Sequence, residues 1–436
     1  MASANTSSRG FYGWINLAFI ALLGIVGMLY MVSFGYFLPF FVEDFGWNRG
    51  TASLAPTLNL IILGLCGPLA GVYIAKYGAR RAILLGNIMG LLGFLLIYFQ
   101  NHLWQLFLGF GLFIGVGGGF GGILSTTTVV NNWFVKKRAW ALSIVFGAGG
   151  IGGMILGPTL MMLIVKVGWR YTCLTIIGLI FILAIILPGL FVRNKPEDLG
   201  QVPDGSDDSK PVAPGQALPR TTYRTPVDFT ASEALRTRCL WMLVSYFALS
   251  MLTMGALMTH QVAYQLDIGI DAKTAALTLS VMSGVMTFAQ FGVGFIANRF
   301  TMSSIVITAE IIKLIAMIIL VSTKSLPFVF VYMIIFGISF GAGMIAMMNI
   351  FPNYFGASNY PKIMGTVRLF WSIIGGTGAP IAGYIREATG SYIPAFEAAI
   401  FVIILGIVCL FFAKPPVHPS LKESQPGMKS GTPIRN

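Results

Sequence analysis

The chain has 436 residues, of which 56% are hydrophobic and only 10% charged, and its formal net charge is +13. A soluble domain carries about 25% charged residues, so this chain cannot clothe a water-facing surface and lipid must solvate most of it. The basic excess is scattered through short loops and a central linker, which excludes a nucleic-acid partner, and Cys66, Cys173, Cys239 and Cys409 have neither metal nor disulfide spacing and read as packing residues.

Residues 1–9 are polar, and the apolar run after them reaches about Phe41. It is too long for a signal-peptide core and lacks a cleavage pattern, so it reads as a retained first span. Apolar stretches of spanning length then predict helices near 14–41, 52–75, 82–99, 104–130, 140–165 and 171–192, and again near 240–265, 274–297, 303–322, 326–350, 363–385 and 395–413. Glycines crowd the fourth, fifth and eleventh of these, where small residues let helices approach closely and slide. They lie inside continuous spans, so phosphate-loop and dinucleotide readings fail. The boundaries divide the chain into an N-terminal bundle at 1–192, a linker at 193–238, a C-terminal bundle at 239–413 and a tail at 414–436. The linker holds Pro196, Pro203, Pro211, Pro214, Pro219 and Pro226 with Asp204, Asp207 and Asp208, and predicts little fixed structure beyond a short helix around 231–238.

The two halves repeat each other at an offset of 221 to 223 residues. Asn132-Trp133-Phe134 returns as Asn353-Tyr354-Phe355, Gly157-Pro158 as Ala379-Pro380, and Gly168 as Gly390. A duplicated membrane half places a substrate site between the halves near mid-bilayer, which points to transport. Twenty Lys and Arg residues fall on the side of the termini and linker and six on the other, with Lys313 and Arg368 left inside spans. The termini and linker are therefore expected in the cytoplasm of a multi-pass inner-membrane protein.

The stretch from Gly71 through Lys76 and Gly78 to Arg80-Arg81 resembles the loop signature of the major facilitator superfamily, with Ala75 in place of its aspartate; its second copy runs through Asn298 and Arg299. Trp133-Phe134-Val135-Lys136-Lys137-Arg138 and the glycines after it are similar to the monocarboxylate transporter signature. Phe11-Tyr12-Gly13-Trp14 and the segment Arg193 to Gly205 resemble that family and its bacterial oxalate:formate exchanger relatives. The resemblance covers essentially the whole chain. It implies an all-α membrane protein of twelve helices in two pseudo-symmetric six-helix bundles, carrying a small carboxylate, often with a proton.

Arg368 is the leading site residue, because a guanidinium inside a span is costly unless paired, and no acid lies in its helix. Its planar fork suits a carboxylate. The family's arginine of the eighth helix has no counterpart here; the resemblance implies that in a carboxylate carrier the positive charge has moved to the eleventh, and if it has not moved the substrate need not be an anion. Tyr36 and Gln290, then Tyr30, Ser33, Asn59, Ser283 and Trp371, are the other candidate lining residues. His260 is the proton-coupling candidate, and Glu310 with Lys313, three apart, reads as a structural pair that partly snorkels. The chain is expected to be no enzyme, to need no cofactor or metal, and to work as a monomer. It is expected to carry a small organic anion, with proton symport and anion exchange as rivals. Export of a neutral or cationic lipophile is the alternative.

Overall fold

The computed structural model describes residues 11–47, 49–52, 54–205, 223–297 and 299–424. Ten helices among them are long and apolar enough to cross a bilayer. Lipid offers no partners to backbone N–H and C=O groups, so each crossing must satisfy its own, and a helix does this. Two further crossings are hidden in the count. The helix that starts at Arg138 passes through Gly168, whose φ of 84° and ψ of 161° belong to glycine alone and break the path. The eleventh crossing is two shorter helices, Tyr360–Gly376 and Gly378–Thr389, which meet at Thr377.

The twelve spans are α1 (Gly13–Phe45), α2 (Leu54–Tyr77), α3 (Ala79–Tyr98), α4 (Leu103–Trp133), α5 (138–167) and α6 (169–191) in the N half. In the C half they are α7 (Arg238–Asp267), α8 (Ala272–Ile296), α9 (Met302–Ser322), α10 (Leu326–Phe355), α11 (360–389) and α12 (Ile393–Phe412). Prolines in the first turn start α10, α11 and α12, where the missing N–H costs nothing. Thr237 and Thr301 cap α7 and α9 by accepting from Leu240 N and Ser304 N.

One buried apolar cluster fills the N half and enters the C half only through the end nearest the linker, at residues such as Leu243, Val293, Phe351 and Met364. The far end of the C half has a separate cluster around Leu257, Met317, Tyr332 and Phe396. The halves are therefore fused at the linker end and apart at the far end.

The linker departs from the expectation of little fixed structure wherever it is described. Thr225 N donates to Asn353 O and Phe229 N to Phe355 O, both at 2.9 Å, so this strand of chain supplies the donors that the last carbonyls of α10 lack. Phe229 is fully buried. The helix Ala231–Leu235 carries a capping box between Thr230 and Glu233, whose carboxyl is held below its ordinary range by bonds from the Thr230 hydroxyl and N–H. Asp207 and Asp208 lie outside the described residues.

Candidate substrate site and gate

Two seams join the halves at the linker end. In the first, Gly64, Gly67 and Gly71 form a stripe on α2 against α11. A Cβ on Gly67 would sit 2.6 Å from Gly365 O, and one on Gly71 would sit 2.4 Å from Pro361 O. Only glycine allows backbones this close. In the second, α5 meets α8: Trp140 packs over Gly294 and on the Phe295 ring at 4.6 Å, and Gly150 faces Thr287.

Hydrogen bonds sort the same way. At the linker end they cross between halves. Arg138 donates from Nη1 to Asn353 Oδ1 at 3.1 Å, Tyr360 OH to Thr127 Oγ1 at 3.2 Å, and Arg368 Nη2 to Gly118 O at 3.4 Å. Arg224 of the linker donates to Val135 O at 2.5 Å. At the far end the ties among the described residues stay within a half: Trp169 Nε1 to Asp44 at 2.6 Å, Arg386 to Asp267 at 3.0 Å, and His260 Nε2 with Ala379 O at 2.8 Å. A cleft of about 780 Å³ opens there between α2, α7 and α11, lined by Thr57, His260, Ser372 and Tyr384 among others. The conformation is closed toward the linker and open away from it.

Arg368 sits just beneath that cleft. Ser372 lines the cleft, and one helical turn (about 6 Å) inward lies Arg368. Its side chain is 7% exposed and turned into the seam, toward α4, and not toward lipid or the linker-side surface. Apart from the long bond to Gly118 O, its Nε and Nη1 have no partner among the described residues, and neither does Trp371 Nε1 in the same pocket. That pocket has about 20 Å³ of free space, room for one water. Its walls include Thr127, Phe247, Met364 and Tyr360, with no carboxylate among them. Trp371 is held by a stack on Phe247, 4.4 Å between centroids. Three buried donors thus stand without acceptors among the described residues, a costly arrangement until something supplies them.

The other candidates are more dispersed. Tyr36 reaches Gly157 of α5. Tyr30 turns into the N half and donates to Asn87 Oδ1 at 3.0 Å, while Ser33 is buried with an unpartnered hydroxyl. The three do not share one environment. Asn59 donates to Phe110 O at 2.8 Å, satisfying a carbonyl within the π-helical turns Phe107–Phe113 of α4. Ser283 bonds its own helix at Leu279 O, and Gln290 is buried with a free Oε1. Neither lines the Arg368 pocket.

The loop signatures act as structural joints. Gly78 has φ 87° and abuts the Asn194 side chain; Arg80 N donates to that amide at 2.8 Å, and the Arg80 guanidinium donates to Gly189 O. Lys76 and Arg81 are exposed, Lys76 lying over the Tyr77 ring, and Arg299 is exposed past α8. Asn298 lies outside the described residues. Asp204 accepts from the N–H groups of Val135, Lys136 and Lys137 at 3.0, 2.6 and 3.2 Å, closing the loop before α5. Lys137 Nζ lies over Trp14. Glu310 and Lys313 do not snorkel: both side chains are 2% exposed and 2.6 Å apart, because α7 and α10 wrap the helix that carries them.

Sequence reasoning missed Phe247, Tyr360, Thr127 and Asp204. The first three are apolar or hydroxyl residues in hydrophobic runs and carry no local signal. Asp204 reads in the sequence only as one of the linker's acids, and its partners, the N–H groups of residues 135–137, lie 67 to 69 residues away in sequence.

A twelve-span pair of half-bundles, sealed at one end around an unneutralised arginine, defines a membrane carrier. The family model of the Major Facilitator Superfamily matches residues 18–323 and 305–435. Monocarboxylate transporter 12 of Rattus norvegicus is 24% identical over 95% of this chain and 88% of its own length. Monocarboxylate transporter 2 of Homo sapiens is 24% identical over 88% and 81%. The human organic anion transporter MFSD10 superposes with a TM-score of 0.70 at 15% identity, covering 91% of this chain and 99% of its own. The E. coli fucose:proton symporter FucP superposes at 0.68 and 15%, covering 93% and 100%. A FucP structure in the outward conformation superposes at 0.66 and 16%, again covering 93% and 100%. The chain belongs to the Major Facilitator Superfamily and is similar in sequence to its monocarboxylate transporters; it is a carrier and not an enzyme.

Proposed function

We propose that the protein carries a small monocarboxylate across the inner membrane, with the linker end facing the cytoplasm, by rocking residues 1–192 against 239–413. The observation that carries this reading is the set of three donors unpartnered among the described residues, two on Arg368 and one on Trp371, in a mostly apolar pocket whose walls hold no carboxylate. One carboxylate satisfies them all. A dicarboxylate would bury a second charge with no cation in the pocket, and a lipophilic cation would meet donors only. The names of the relatives agree with the chemistry.

Uptake of radiolabelled pyruvate, lactate and benzoate into proteoliposomes tests the reading. Arg368→Ala removes one side of a buried, charged hydrogen-bonded pair, worth about 2 kcal/mol or more, so uptake falls by about 30-fold or more. Arg368→Lys recovers part of it, because an ammonium lacks the planar fork. Undiminished uptake by both variants removes Arg368 from the mechanism.

A further inference from the structure

We propose that Glu310 on α9 is the group that takes up the proton accompanying the anion; this rests on the carboxylate reading of Arg368. The placement is specific. Phe247 of α7 is a shared wall: its ring stacks on Trp371 in the anion pocket, and the same residue lines the small cavity beside Glu310 and Lys313. The buried pair is thus one aromatic layer from the anion pocket. Glu310 Oε1 accepts from Lys313 Nζ at 2.6 Å, Tyr246 OH at 2.9 Å and Ser250 Oγ at 3.4 Å, and Lys313 also donates to Ser250 at 2.7 Å. Lys313 lies 5.9 Å from the Phe340 ring centroid. The adjoining space is about 10 Å³, at the margin of holding a water that could deliver the proton.

Among the described residues no second acid on the surrounding helices bonds to this pair: Asp267 is exposed and paired with Arg386, and Glu397 is exposed. The other titratable groups there are His260, Tyr264 and Asp267 on α7, Tyr332 and Tyr354 on α10, and Glu397 and Cys409 on α12; among the described residues none bonds to the pair. His260, the sequence's own candidate, instead borders the wide far-end cleft and is tied to Ala379 O.

Charge counting supplies the coupling. With the pocket empty, Arg368, Lys313 and Glu310 sum to one positive charge. An anion alone brings the sum to zero, and a proton alone raises it to two. Anion and proton together restore the empty value. In a medium of low dielectric, each of the two ligands then favours the other. In the step itself an O–H bond forms on Glu310 and one breaks on a hydronium ion, and the proton leaves again to water when the anion departs.

The test uses the full chain in proteoliposomes. In the wild type, an inward proton gradient drives accumulation of whichever of pyruvate, lactate or benzoate shows counterflow, and adding it alkalinises the outside. In Glu310→Gln/Lys313→Met, which leaves no unpaired buried charge, gradient-driven accumulation falls by about 10-fold or more while counterflow stays within about twofold. Wild-type levels of gradient-driven accumulation in that variant overturn the proposal. So does wild-type counterflow without proton movement, which leaves the carboxylate reading intact. Absence of counterflow for every carboxylate sinks that reading and the proposal with it. Infrared difference spectra of the wild type decide the matter even where the variant does not fold. A protonated-carboxyl band that appears on anion binding supports Glu310, and anion binding without it overturns the assignment.

Discussion

Gly67→Ala and Gly71→Ala probe whether backbone contact holds the linker end shut. A methyl carbon needs about 3.3 Å from a carbonyl oxygen, and the two Cβ positions lie 2.6 and 2.4 Å from Gly365 O and Pro361 O. The shortfall is about 0.7 to 0.9 Å, and backbone cannot swing aside as a side chain would, so α2 and α11 must part. Overpacking of this kind costs about 1–3 kcal/mol. The helix-propensity gain of Gly→Ala applies to every conformation alike and cancels. The balance then moves by about 5- to 150-fold toward the state open at the linker end. Cys66, buried beside Gly119 and next in sequence to Gly67, is a native reporter. With Cys173, Cys239 and Cys409 replaced by Ala, a thiol reagent applied from the linker side labels Cys66 faster in both variants. Gly178→Ala, with nothing within 4 Å, leaves the rate unchanged. Equal labelling in all four proteins refutes the argument.

Trp371→Phe keeps the stack on Phe247 but deletes the indole N–H; loss of one hydrogen bond to a charged ligand, about 1.5 kcal/mol, raises the KM for the carboxylate by about 10-fold with thermal stability unchanged. An unchanged KM shows that the indole does not touch substrate. Asp204→Asn removes the charge that three N–H groups address ahead of α5, a loss of about 1 kcal/mol; Tm falls and linker-side labelling of Cys66 rises. A variant that matches the wild type in both assigns the loop's closure to other contacts.

Most of the fold was legible because lipid leaves few choices: spanning length, glycine breaks and the repeat offset fix twelve helices and their pairing into halves. The arginine was legible for the same reason, since a charge among apolar residues stands out. At the offset of 222 residues Arg368 answers to Phe146, and Glu310 and Lys313 answer to Ile88 and Leu91, so the groups that break the repeat are those with polar work to do. What did not show was orientation. Tyr30, Ser33 and Tyr36 recur every third residue, but a helix turns about 100° per residue, so over six residues the set drifts to different neighbours. The linker misled because its prolines and acids resemble a tether, while its partners are the carbonyl ends of α10 and the loop before α5, far away in sequence.

The geometry of the empty pocket ties occupancy to motion. Arg368 has one long bond and two nitrogens without partners, in a space that holds a water but not a carboxylate. An anion that satisfies those nitrogens must therefore widen the gap between α11 and α4. Widening it strains the Arg368 bond to Gly118 O and then, two turns closer to the linker, the Tyr360 bond to Thr127. Both are ties that cross between the halves. On the proposed reading, then, the free energy of neutralising the guanidinium acts directly on the seam: the ligand binds better to the conformation in which these bonds have parted, which is the condition for a ligand to shift an equilibrium at all.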